Sequence, residues 1–125
     1  MSTATPPAQT VARRLIEASD TDLAAFFDFF TDETVFRLGN NETVIGRDNI
    51  IEWASRYLRS VVGLRHEVLD EFSGADTAVL CLNVTYTMAS GTSFTIPAVG
   101  RSRVEHGKVV EYQIYMDPTP VVTAS

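Results

Sequence analysis

At 125 residues, 45% hydrophobic and 21% charged, the chain is sized for one globular core, since a domain of this length buries roughly two-thirds of the surface its unfolded chain exposes. A formal net charge of −6, with no basic run beyond the pairs Arg13–Arg14 and Arg101–Arg103, argues against duplex nucleic acid or an anionic membrane as partner. The single cysteine, Cys81, excludes an internal disulfide and a cysteine-built zinc site, and no apolar run nears the roughly 20 residues needed to span a bilayer.

Met1 to Gln9 has neither a positive n-region nor a long apolar stretch. It reads as a short flexible tail rather than a signal peptide, which makes the cytoplasm the expected compartment. The Asn-x-Thr sequons at Asn41 and Asn83 are then coincidence. Val11, Ala12, Leu15 and Ile16 recur at helical spacing and predict a first helix after Pro6-Pro7. Ser19-Asp20-Thr21 is expected to break it and cap a second, short helix carrying Leu23, Phe26, Phe27 and Phe30, closed by Thr31-Asp32. Thr34–Leu38 and Thr43–Ile45 read as two short strands around the turn Gly39-Asn40-Asn41. Asp48 is the expected N-cap of a third helix whose stripe is Ile50, Ile51, Ala54, Tyr57, Leu58 and Val61, with Gly63 as its stop.

From there the apolar period changes from 3.6 to 2. Strands are predicted at Leu64–Phe72, Thr77–Met88, Ser93–Glu105 and Val109–Asp117, joined by turns too short for anything but antiparallel neighbours. The segment after Pro118 is expected to run irregularly along the surface. Helices followed by a meander of long strands give an α+β fold, a single domain over 1–125 with flexible tails at about 1–8 and 119–125.

The segments Asp20–Phe36 (DTDLAAFFDFFTDETVF), Val44–Ile50 (VIGRDNI), Glu105–Val110 (EHGKVV) and Tyr112–Asp117 (YQIYMD) resemble the nuclear transport factor two-like superfamily, also called the SnoaL-like or ketosteroid-isomerase-like cone fold. The resemblance covers about Ala8 to Pro118. It implies a cone-shaped roll, three N-terminal helices packed on a curved, mostly antiparallel sheet, enclosing a mostly apolar pocket. The superfamily hosts isomerases, cyclases, epoxide hydrolases, dehydratases and binders without catalysis, so the chemistry rests on the site. Matched to limonene-epoxide hydrolases, the catalytic positions fall on Phe36, Leu38, Cys81, Asn83 and Ile114, none of which is the residue that mechanism needs. The ketosteroid-isomerase acids fall near Arg37 and Val99. The likeness to SnoaL-type polyketide cyclases survives in length, in Gly46-Arg47-Asp48 and in the closing Tyr-x-x-Tyr-x-Asp.

Alternation sorts the remaining side chains. Phe94, Ile96, Ala98, Gly100, Ser102 and Val104 share one face, as do Val110, Tyr112, Ile114 and Met116, opposite Arg101, Arg103, Glu105 and Glu111. Leu64, His66, Val68 and Phe72 form one face of their strand, with Arg65, Glu67 and Glu71 on the other. No ionised acid is expected in the pocket; Asp70, sharing the parity of His66, is the one candidate, while Asp32, Asp48 and Asp117 read as caps or pairing residues. His66 is either a general base or a locally satisfied core histidine. Asn83 either polarises a carbonyl or is a satisfied amide. Tyr112 is either an oxyanion donor or an amphipathic wall residue. Phe36, Trp53, Tyr57, Ile96, Ala98, Ile114 and Met116 are the expected substrate-contacting wall. No metal-ligand spacing or phosphate loop is present, so no cofactor is expected.

Two functions fit. One is a cofactor-independent isomerase, cyclase or dehydratase acting on a small hydrophobic molecule of polyketide, steroid or terpenoid type, with His66, Asn83 and Tyr112 carrying it. The other is a ligand-binding or interaction domain without chemistry. A homodimer is also expected, on the argument that Cys81 and Asn83 face inward and leave Leu80, Leu82, Val84, Tyr86 and Met88 outside; the reversed assignment needs no dimer and removes Asn83 from the site.

Overall fold

The computed structural model describes residues 6–124, so the first five residues of the expected N-terminal tail lie outside the described residues. Helices α1 (Ala8–Thr21), α2 (Leu23–Phe27) and α3 (Arg47–Tyr57) pack on one face of a curved, unclosed six-stranded sheet. Its strands are β1 (Phe30–Leu38), β2 (Val44–Ile45), β3 (Val61–Ser73), β4 (Thr77–Met88), β5 (Ser93–Glu105) and β6 (Lys108–Tyr115), in the order β2-β1-β6-β5-β4-β3. Every pairing is antiparallel except β1 with β6, which is parallel. The α+β class and the helix-on-sheet roll therefore hold.

The helix ends differ from the sequence reading. Helix α1 runs through Ser19-Asp20-Thr21, burying Val11, Ala12, Leu15 and Ile16, and Asp22 caps α2 by accepting from the Ala24 and Ala25 amides. Phe30 is not helical: it opens β1 opposite Val109. The ladder is irregular between Phe30 and Val35, and buried Thr34 bridges the gap, donating to the Val109 carbonyl at 2.7 Å and accepting from the Thr31 amide at 2.8 Å. Gly46, not Asp48, sits at the N-cap of α3; at φ +92° a side chain is disfavoured, and an added Cβ would stand 3.0 Å from the Asp32 carbonyl oxygen. Asp48 instead lies in the first turn, where the helix dipole favours a carboxylate. The α3 helix ends at Tyr57, and Val61 already belongs to β3.

Two of the sheet's irregularities overturn the expected facing of side chains. In β3, Val68 faces Leu82 and Asp70 faces Cys81, so Leu69 is an extra residue. Beyond it Glu71 turns to the helix side, where Arg13 at 3.0 Å and Gln9 at 2.9 Å meet its carboxylate. Phe72 turns outward and is 62% exposed, and Asp70 is exposed too, correcting the assignment of Phe72 to the His66 face. In β6, Val109 takes the buried place expected for Val110, because the β5–β6 ladder shifts between Arg103 and Val104.

The larger correction concerns β4. Ala78, Leu80, Leu82, Val84, Tyr86 and Met88 are all buried against the helices, and Cys81, Asn83, Thr85 and Thr87 face outward. Thr85 and Thr87 pair with Thr95 and Ser93 at 2.9 and 3.0 Å across the outer face. The apolar stripe is core, so the homodimer argument drawn from its exposure has no basis in this arrangement. After Pro118 the chain forms a further helix, α4 (Thr119–Ala124), rather than an irregular tail. Asp117 accepts from the Thr119 amide and hydroxyl at its start, and Val121 is fully buried.

Candidate active site

Between α2, α3 and the inner face of the sheet lies a cavity of about 70 Å³. Phe36 and Leu38 of β1 and Tyr112 and Ile114 of β6 form its floor. Leu23, Phe26 and Phe27 wall one side; Trp53, Ala54, Tyr57 and Leu58 wall the other. The aromatic rings brace one another. Phe36 lies 5.2 Å from Trp53 and 6.0 Å from Tyr112, and Trp53 stacks on Tyr57 at 5.0 Å with 15° between planes.

At the edge of this apolar space β3 and α1 bring together an acid–base pair. Leu64 and His66 of β3 line the cavity beside Ser19, from the last turn of α1. The next residue, Asp20, reaches His66 twice. One carboxylate oxygen accepts the His66 backbone N–H at 2.9 Å, and the other lies 2.6 Å from Nδ1. The two side chains retain 11% and 19% exposure. An ionised carboxylate can only accept, so it holds the neutral ring as the Nδ1–H tautomer and leaves the Nε2 lone pair free. Ser19 lies 3.3 Å from the same Nδ1 and donates to the Ile16 carbonyl at 2.7 Å. Sharing Nδ1 with Asp20, it is not placed as a nucleophile activated by the ring.

Three phenols complete the polar inventory. The Tyr57 and Tyr86 hydroxyls are 3.1 Å apart, and Tyr86 donates onward to the Met116 thioether at 3.8 Å, a weak acceptor. The Tyr112 hydroxyl has no protein partner among the described residues. Burial pushes all three phenols above their ordinary range; a neighbouring tyrosine adds to this at Tyr57 and Tyr112, while the hydrogen bond from Tyr57 offsets part of it at Tyr86. They stay neutral and able to donate.

Of the residues expected from sequence, His66, Tyr112, Phe36, Trp53, Tyr57 and Ile114 border the cavity. Met116 reaches it only through Tyr86, and Ile96 and Ala98 are buried on the inner face of β5 away from the cavity wall. Asn83 is on the opposite face of the sheet, donating to Glu67 at 3.3 Å, and leaves the site. The limonene-type match placed catalytic groups on Cys81 and Asn83, both outward; a one-residue shift to the inner face reaches Leu82 and Val84, still without charge. Sequence reasoning missed Asp20, read as a helix breaker, and Tyr86, read as part of an outer stripe. One signal pointed to Asp20: a carboxylate at a helix C-terminus opposes the dipole and needs a compensating partner.

A family model described as "SnoaL-like domain" matches residues 12–112. Among solved structures, the chain is similar to an NTF2-like protein of unknown function from Burkholderia pseudomallei K96243, at 17% identity and TM-score 0.79, covering 92% of this chain and 94% of that one. It is similar to a ketosteroid-isomerase-like protein from Catenulispora acidiphila DSM 44928 in complex with trimethylamine, at 17% identity and TM-score 0.79 over 98% and 94%. It is also similar to a candidate SnoaL-like polyketide cyclase from Jannaschia sp. CCS1, at 19% identity and TM-score 0.77 over 98% and 96%. At these identities the likeness is one of fold. No curated protein matches the sequence.

Proposed function

This chain belongs to the SnoaL-like domain family, and we propose that on this fold it is a cofactor-independent proton-transfer enzyme, an isomerase, cyclase or dehydratase for a hydrophobic substrate of polyketide, steroid or terpenoid type. The observation that carries the reading is the 2.6 Å Asp20–His66 contact at the edge of an otherwise apolar, aromatic cavity. His66 Nε2 takes a proton from carbon next to a substrate carbonyl, and the Asp20 carboxylate stabilises the imidazolium that forms. The electron pair moves onto the carbonyl oxygen, where the Tyr112 hydroxyl donates. Return of the proton to another carbon gives isomerisation; its delivery to a departing hydroxyl gives dehydration. The similar fold of a candidate polyketide cyclase is consistent with such substrates.

The test is deuterium exchange at the carbon acid 2-tetralone in D₂O, followed by NMR. Wild type is expected to accelerate exchange and His66→Gln to lose about 10²–10⁴-fold of that acceleration. A loss below about threefold would retire the proposal, since a general base is worth far more. One observation favours a second reading, a binding domain without chemistry: the cavity of about 70 Å³ is well under the roughly 300–1,000 Å³ of ordinary ligand sites. Ligand binding with no wild-type exchange would support it.

A further inference from the structure

The stacked pair Trp53–Tyr57 has two sides. Inward it walls the cavity; outward it walls an open basin of about 330 Å³ whose other lining residues are Asn41, Arg56, Arg59 and Val122 of α4. Together the two spaces reach the size that the cavity alone lacks. Their chemistry differs. The cavity is aromatic and aliphatic, with its polar groups limited to the dyad side, the phenols and the Trp53 indole N–H. The basin carries two guanidinium groups in a chain whose net charge is −6. Arg56 pairs with Glu52 at 2.8 Å, while Arg59 makes no ion pair among the described residues. The acidic side chains Glu42 and Glu52 border a neighbouring groove that shares Asn41, Trp53 and Arg56 with the basin, and Arg59 is the guanidinium of the two that does not line that acidic groove.

We infer that the ligand is an amphiphilic anion, a flat apolar body that enters past Trp53 and Tyr57 while its carboxylate stays outside on Arg56 and Arg59. This rests on the proposed cavity as the substrate site and adds the substrate's charge and polarity. A planar body suits entry past these residues, because it can lie along the stacked rings that both spaces share. The forked guanidinium suits a carboxylate, with paired N–H donors matching two oxygens.

Trp53 is the only tryptophan in the chain, so one indole N–H resonance reports on the partition. Full-length ¹⁵N-labelled protein is titrated with biphenyl-4-carboxylate and, separately, with the neutral biphenyl-4-methanol. The carboxylate is expected to bind about three- to tenfold more tightly, the range for one or two partly exposed ion pairs. That advantage should vanish in the double variant Arg56→Gln/Arg59→Gln and shrink at 1 M salt, where screening acts within about 3 Å. Both positions are exposed, and an otherwise unchanged amide spectrum confirms the fold. Equal affinity of the two compounds for wild type, or an advantage that survives the double substitution, overturns the anion annex while leaving the cavity reading standing. If neither compound moves the indole resonance, the cavity reading falls and the annex with it.

Discussion

Asp20→Asn tests the site with almost no change in shape. The carboxylate accepts two hydrogen bonds, one from the His66 backbone N–H at 2.9 Å and one from Nδ1–H at 2.6 Å. An asparagine has one accepting oxygen and one donating NH₂ to place in the same two positions. With its oxygen toward the ring, the NH₂ opposes the backbone N–H, donor against donor. The favoured orientation is the reverse: the oxygen keeps the backbone bond and the NH₂ donates to Nδ1. The ring must then carry its proton on Nε2, and the lone pair that faces the substrate is gone. Only the charge-assisted share of two hydrogen bonds is lost in stability, about 1 kcal/mol, or roughly 3–5 °C in the midpoint of thermal unfolding for a chain of this length. The exchange rate, in contrast, should fall by about 10²–10⁴-fold. The tautomer is read directly from the ¹⁵N shifts of the ring, with His106 in the exposed β5–β6 turn as an internal reference. A variant that keeps the Nδ1–H tautomer, or exchanges within threefold of wild type, would refute the assignment of Asp20 as the residue that orients the base.

Tyr112→Phe removes the phenol without a protein partner and is expected to cost about 10²–10³-fold in exchange rate with little change in melting temperature; an unchanged rate would move the oxyanion contact to the Tyr57–Tyr86 pair. The phenols of Tyr57, Tyr86 and Tyr112 are raised by burial, so the unfolded chain gives up these protons first and stability should fall as pH rises above the ordinary phenol value of 10.0, read as a lower urea midpoint at pH 11 than at pH 9. An equal midpoint would contradict their burial. Ile50→Ala, at a fully buried position of α3, should cost about 2–5 kcal/mol in chemical denaturation, and a cost under about 1 kcal/mol would mean that α3 is not anchored through this side chain. With the Leu80–Met88 stripe inside, light scattering is expected to give the mass of one chain; twice that mass would require an interface on the polar outer face.

Strands β4 and β5 could be read from the sequence with the ends the structure shows, because strict alternation and glycine-containing turns bound them on both sides. Facing was harder. Both faces of β4 carry small or apolar residues, so periodicity gives the parity but not which set points inward. The Leu69 bulge has no sequence signal of its own, yet it moves Glu71 and Phe72 to opposite faces. Helix α2 was overextended because Phe30 continues an apolar run that the chain uses for a strand opposite Val109. Tyr112 and Ile114 were accessible through alternation and Tyr57 through helical spacing, while Trp53 was placed only by its position on the third helix and Phe36 only through the family match. The dyad was not, since Asp20 and His66 lie 46 positions apart and meet only through packing of α1 on β3.

The parallel seam between β1 and β6 has a consequence for how the protein is made. Phe36 and Tyr112, neighbours across that seam, come from opposite ends of the chain, and β6 lies between β1 and β5. While β6 is still being synthesised, β1 and β5 present open edges that invite pairing with other chains. Contacts this distant in sequence also close slowly. The β6 half of the cavity floor is thus the last part of the sheet that translation can supply, and a nascent chain stopped short of Tyr112 has Phe36 and Leu38 but neither the completed floor nor a sealed sheet.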